Sequence, residues 1–242
     1  ESSATNLRLN DVNGVQEIFV KDMVTGEVKG LSFAADGTPA NGNSFAPSIS
    51  ENGRFVTFTS QAASLNPDND SFAAEVYIVD LAESGFWQGV EKVGGNVQVN
   101  THTAGDQFNP VSTALPDGRF LLAWSDTSVQ QVKARFFDSA GVPQGDEFSI
   151  MAGSSSGYDM GIVHLSGGRA VVFQGTAGQF GKIIEADGSI SAGFVDRPAG
   201  ASGYFYTTGL TNGGFVISCS ANGYRDIAIQ AYDASGHKVG SL

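Results

Sequence analysis

Cysteine is almost absent from this sequence. Its 242 residues include one, Cys219, so no internal disulfide can staple the fold. Basic residues are scarce. Thirteen Lys and Arg stand against 25 Asp and Glu, for a formal charge of −12. That argues against nucleic acid as a partner, because phosphate binding needs clustered Lys and Arg. Long hydrophobic runs are missing too, and nothing approaches the roughly 20 apolar residues of a membrane-spanning helix. No signal-peptide pattern is visible, and the sequence opens in mid-motif at Glu1. Strong helix formers are few. What is plentiful is chain punctuation: 32 Gly, together with many Asn, Asp and Ser. Short strands and frequent turns follow from that composition. A soluble extracellular protein, or one that binds cations, suits the acidic balance.

The stretch from Gln107 to Phe148 sets the pattern. Pro110 opens a strand, and Asp117-Gly118 is a tight turn. Phe120–Trp124 is an apolar second strand, and Val132–Phe137 alternates as a third. Asp138–Gly141 turns again into a polar fourth strand ending at Phe148. Four antiparallel strands joined in this way form a meander. One such sheet has two open faces, so copies of it should stack.

Copies are present. Gly53-Arg54-Phe55-Val56 matches Gly118-Arg119-Phe120-Leu121, then Gly168-Arg169-Ala170-Val171 and Gly213-Gly214-Phe215-Val216. The second turn recurs at Phe137–Gly141, Ile184–Gly188 and Tyr232–Gly236, spaced by 47 and 48 residues. A period of about 40 to 50 residues with four strands each predicts a β-propeller. Near the N-terminus, Ser2–Leu7 and Glu17–Asp22 reappear as Ser60–Leu65 and Glu75–Asp80 at a constant offset of 58. Only Glu1 precedes Ser2, so the first unit reads as half a blade. The expected fold is all-β: one propeller-like domain over residues 1–242, closed or an open arc. It would contain a half-blade at 1–43 and full blades at 44–98, 99–150, 151–198 and 199–242.

Specific motifs carry a resemblance. Pro47-Ser48-Ile49-Ser50, Gly53-Arg54-Phe55-Val56 and Asp11-Val12-Asn13-Gly14 resemble the TolB-type propeller repeats of bacterial surface and periplasmic proteins. Val99–Gln107 with Asp117-Gly118-Arg119-Phe120 is similar to a repeat of very large secreted, adhesin-like bacterial proteins that also carry calcium-binding repeats. The two together span a little over half of the chain. The last two blades match by turn and strand pattern alone.

Asp11-Val12-Asn13-Gly14-Val15-Gln16-Glu17 is the sharpest chemical motif. Oxygen side chains at alternate positions, a Gly bend and a later carboxylate can wrap one hard cation. The resemblance implies a calcium role for Asp11, Asn13 and Glu17. An Asx-rich turn capping its own backbone explains the same letters, and both readings stand. The second copy is degraded, with Asn69 and Ser71 at the equivalent positions and Asp68 and Asp70 nearby. Tyr204-Phe205-Tyr206, in a Gly-flanked loop before a strand, is a candidate binding surface, with inter-blade packing as the plainer account. Gly153-Ser154-Ser155-Ser156-Gly157 has the letters of a nucleophile elbow, but a strand follows it where a helix is required. His102, His164 and His237 lie far apart. Cys219 and Trp124 sit in apolar strands as packing residues.

The expectation is therefore a non-catalytic, calcium-stabilised interaction or structural module outside the cell, bound to a protein partner or to the rest of a larger chain. No catalytic centre is expected. The alternative is a hydrolase or lyase with carboxylates from different blades lining a central channel. A periplasmic scaffold is a third reading, and fold alone does not separate the three.

Overall fold

The computed structural model describes residues 1–3, 13–34, 36–50, 53–65, 73–81, 96–152, 160–175, 180–191 and 195–240, with backbone only for 202–204. The architecture is all-β, built from propeller-type antiparallel meander blades. Two compact units follow each other along the chain, residues 1–110 and 111–242.

The first unit opens with a hairpin, β1 (Phe19–Lys21) and β2 (Val28–Gly30). A four-stranded sheet follows: β3 (Ser44–Ile49), β4 (Phe55–Ser60), β5 (Glu75–Asp80) and β6 (Val97–Gln98), paired in chain order. The 58-residue repeat is structural as well as sequential. Ser60 pairs with Glu75 in the β4–β5 ladder. Ser2 bridges Glu17 in the same way, with both main-chain hydrogen bonds at 2.9 Å. Ser2 and Glu17 thus face each other as Ser60 and Glu75 do, 58 residues on. Ile18, Leu31, Val56, Phe58, Tyr77 and Val79 form its core.

The organising stretch is the next sheet, in order β7 (Gln107–Ala114), β8 (Phe120–Asp126), β9 (Gln131–Phe137) and β10 (Pro143–Ala152). All seven residues of β8 are buried, which explains its lack of polar alternation. Phe120 and Phe137 stack across the pair at 5.0 Å. The next blade has three strands, β11 (Met160–Leu165), β12 (Arg169–Gln174) and β13 (Gly181–Ile184). Single bridges from Ile184 to Ile190 and from Gly181 to Val195 stand where a fourth strand would run. The last blade is complete: β14 (Ala201–Gly209), β15 (Phe215–Ala221), β16 (Asp226–Tyr232) and β17 (Lys238–Val239).

Two cores glue the blades of the second unit. Leu121, Ala123, Val132 and Ala134 of one blade pack on Ala170, Val172 and Ile184 of the next. Val163, Val171, Phe173 and Ile183 then pack on Phe205, Phe215, Ile217, Cys219 and Tyr232. Each fully buried Val, Leu, Ile or Phe among them contributes about 1.5–3 kcal/mol.

One register departs from the sequence match. The N–H of Leu115 donates to the carbonyl of Arg119, and that of Leu210 to Gly214, closing hairpins of equal length. The N–H of Ser50 instead reaches Phe55, one residue further. This longer turn rotates β4 by one pleat. Phe215, two residues after its turn glycine, joins the core shared with the preceding blade. In β4 it is Val56, three residues after Gly53, that joins the core shared with Ile18 and Leu31.

Candidate functional site

The polar side chains of the first unit gather where β4 ends and β5 begins. Glu75 opens β5 and is 1% exposed. Its carboxylate accepts from the carboxamides of Asn100 and of Gln98, the latter at 3.2 Å. Asn100 also accepts from the Val76 N–H at 3.1 Å and donates to Gln107 Oε1 at 3.1 Å. Gln107, fully buried, donates onward to the Ala104 carbonyl. Main-chain N–H groups lock the same corner: that of Gln107 donates to the Ala74 carbonyl, and that of Ala74 to the side-chain Oδ1 of Asp106. Burial pushes the Tyr77 phenol well above its ordinary value, and the charge of nearby Glu75 adds to the shift.

Glu17 stands at the equivalent place 58 residues earlier, opposite Ser2, and is fully buried. Asn13 Nδ2 donates to it at 3.2 Å and to the Ala40 carbonyl at 3.1 Å. The N–H of Gln16 donates to Asn43 Oδ1, and the N–H of Ser44 to the Gln16 carbonyl. The same corner is therefore built twice, with Asn43-Ser44 replaced by Asp106-Gln107. Chemically each corner holds one carboxylate away from water among carboxamide donors, an arrangement that fixes its orientation.

The calcium motif is placed in part. Asp11 lies outside the described residues, as do Asp68, Asn69, Asp70 and Ser71. Asn13 Oδ1 accepts from the Val15 N–H at 3.2 Å, the geometry of an Asx turn, and its nitrogen is the atom turned toward Glu17. A cation shared by Asn13 and Glu17 would need that amide reversed. Among the described residues, no group of three or more His, Cys, Asp or Glu could hold a metal.

The aromatic motif is not a loop. Tyr204, Phe205 and Tyr206 lie within β14, where side chains alternate. Phe205 is 6% exposed and meets Phe180 and Phe173 edge-on at 5.0 and 6.2 Å. Tyr206 points the other way and is 70% exposed, while the side chain of Tyr204 is outside the described set. The serine motif of 153–157 also lies outside it, with Phe86, Trp87 and Tyr158. Cys219 is buried, and desolvation raises its thiol pKa. His164 is half-buried on β11 opposite Ala170, and His237 is exposed with Nδ1 3.6 Å from Asp233.

Acidic turn residues behave as caps. Oδ1 of Asp36, Asp117, Asp138, Asp187 and Asp233 each accepts the N–H two residues on, at 2.8–3.0 Å. The corner around Glu75, Asn100 and Gln107 was missed by sequence reasoning. A signal existed: a glutamate begins the third strand in both copies of the 58-residue repeat.

No protein-family model and no curated protein matches the chain. Solved structures are similar to it. A thermostable family-43 glycoside hydrolase is 10% identical over 88% of this chain and 80% of its own, with TM-score 0.48. An α-L-arabinofuranosidase from Clostridium thermocellum is 13% identical over 88% and 78%, with TM-score 0.42. Dipeptidyl peptidase 4 from Porphyromonas gingivalis is 13% identical over 93% of this chain and 36% of its own, with TM-score 0.47. Hydrolases thus stand where the sequence led us to expect a non-catalytic module without a catalytic centre, and that expectation is corrected on this finding. The likeness is one of fold and assigns no residue a role. Among the described residues no helix is long and apolar enough to cross a membrane.

Proposed function

We propose that this chain is the propeller part of a glycan-directed hydrolase, with its acid–base carboxyls at the blade corners of Glu17 and Glu75. The observation that carries the reading is their repetition. Two buried carboxylates, 0% and 1% exposed, occupy one register position in successive blades, each oriented by carboxamide donors. Glycoside hydrolysis uses a pair of carboxyl groups flanking the scissile bond. Burial is the usual means of holding one of them protonated near neutral pH. Export from the cell fits a glycan substrate and the −12 charge.

The experiment is turnover of arabinan, galactan and aryl glycosides by the purified chain and by Glu17→Gln and Glu75→Gln. Gln keeps shape and hydrogen bonding, so loss of an acid–base carboxyl should lower kcat about 10²-fold or more with a small change in melting temperature. Absence of turnover on every glycan overturns the reading. So does a variant that melts early yet keeps full specific activity, since the carboxylates would then be structural ties.

Glu17 supports a second reading, as a calcium ligand with Asp11 and Asn13. Its motif is the Asp-x-Asn-Gly loop followed by the carboxylate. A chelator should then lower the melting temperature, and added calcium should restore it. An unchanged melt leaves Asn13 as a turn cap.

A further inference from the structure

We propose that Asn100 is a positioning residue that holds Glu75 in its ionised form, which makes this corner the base of the carboxyl pair and not its acid. The role of base rests on the hydrolase reading above; the hold on Glu75 stands without it. Asn100 is 4% exposed, and three neighbours fix which way its amide faces. The Val76 N–H at 3.1 Å can meet only the carboxamide oxygen. The His102 carbonyl at 3.0 Å and Gln107 Oε1 at 3.1 Å can meet only the nitrogen. Gln107 is oriented in turn, because its own nitrogen donates to the Ala104 carbonyl at 3.0 Å. With the Asn100 amide reversed, its N–H groups would face the Val76 N–H and its oxygen would face acceptors. The surrounding backbone therefore aims the Asn100 nitrogen at Glu75.

The target is one atom. Asn100 and Gln98 both donate to Oε2 of Glu75. Donors to the charged form favour ionisation of a carboxyl, and burial opposes it. A proton on Oε2 would point among N–H donors, one of which cannot turn away, so the charged form is favoured. Tyr77, Asp106 and His102 are titratable neighbours among the described residues. Tyr77, on the same face of β5, is a neutral phenol whose pKa the Glu75 charge helps to raise. Asp106 is exposed and gives its Oδ1 to the Ala74 N–H, so water screens its charge from Glu75. His102 presents its main-chain carbonyl to Asn100. In glycoside hydrolysis an ionised carboxylate takes the proton of the attacking water or attacks the sugar itself, while the acid protonates the leaving oxygen.

Carbon-13 NMR of the whole chain tests this, with glutamate carboxyls labelled and the Glu75 signal assigned by its loss in Glu75→Gln. Wild-type Glu75 should titrate no higher than the ordinary glutamate value of about 4.3, in spite of its burial. The Asn100 side-chain amide protons should shift with the same midpoint. Asn100→Leu nearly keeps the shape and removes the donor, so the Glu75 midpoint should rise by about one unit or more. Where that variant melts too early to titrate, the two wild-type midpoints decide alone. With a glycan that is turned over, the acid limb of the kcat profile should move up in the variant together with the Glu75 midpoint. A wild-type midpoint above that of ordinary glutamate overturns the proposal, because burial would then win. So do amide protons that ignore the titration. So does an Asn100→Leu chain in which Glu75 titrates as in the wild type, which would leave Asn100 a structural tie. Absence of turnover on every glycan removes the role of base with the hydrolase reading, while the titrations still decide the hold on Glu75.

Discussion

Phe173 shows how a single side chain decides what its neighbours must be. It is fully buried on β12, and its ring stacks on Phe180 at 5.4 Å. Its cross-strand partners on both sides are glycines, Gly161 on β11 and Gly181 on β13. A Cβ on Gly161 would sit 2.1 Å from the ring's Cζ. The glycine is there because the aromatic occupies its side-chain space. Gly161→Ala should therefore cost about 1–3 kcal/mol as an overpacked core. Phe173→Leu, which empties that space, should cost less in the Gly161→Ala background than in the wild type. Urea unfolding of the two single variants and the double variant measures the coupling. Additive costs would show that ring and glycine do not compete for one volume. Neither glycine stands out in the sequence, since the reason for each lies on another strand.

At the level of the element, the blades were legible because turns and strands repeat locally. Asp117-Gly118 is the predicted hairpin, and the strands around it extend the expected ones by only a few residues. The β4 register was not legible. Gly53-Arg54-Phe55 has the same letters as Gly118-Arg119-Phe120, yet a turn one residue longer places Phe55 on the other face. Hydrophobic alternation does not betray this, because all six residues of β4 are buried. The corner of Glu75, Asn100 and Gln107 escaped for a related reason. Its members are 25 and seven residues apart, and only the strand ends bring them together. Asn13 and Glu17 were readable because a single loop holds both.

The longer turn has its own clamp. Arg54 holds Asp80 at two points, 2.9 and 2.7 Å, and its guanidinium lies 4.9 Å from the Phe55 ring centre. A planar fork is needed for both contacts. Arg54→Lys keeps the charge and loses the fork, and should cost about 1 kcal/mol. In Arg119 the same letter does different work, bonding Asp117 in its own turn and the Ala186 carbonyl of the next blade. Equal loss of stability on Arg54→Lys and Arg54→Ala would confirm the fork. A lysine variant as stable as the wild type would remove it.

For the whole molecule, the acidic composition and the turn caps set opposite pH dependences. The net charge of −12 makes the compact state repel itself near neutrality. That repulsion is relieved as carboxylates are protonated, so stability should rise on mild acidification. The caps act further down. Backbone hydrogen bonds, from Val24 to Asp22, from Thr38 to Asp36 and from His237 to Asp233, hold those carboxyls below the ordinary range. The Ser189 hydroxyl, then its N–H, does the same for Asp187. A group whose folded pKa is depressed contributes its full stability above the unfolded value, about 3.9 for aspartate, and loses it as pH falls through the folded value. The urea midpoint should therefore pass through a maximum on the acid side of neutrality and fall steeply below about pH 3.9. Asp→Asn at 36, 187 and 233 keeps a side-chain oxygen for each turn but removes the titration. The triple variant should match the wild type near the maximum and show a shallower acid limb. If both limbs superimpose on those of the wild type, the turn carboxylates do not govern acid unfolding, and the buried Glu17 and Glu75 become the groups to replace next.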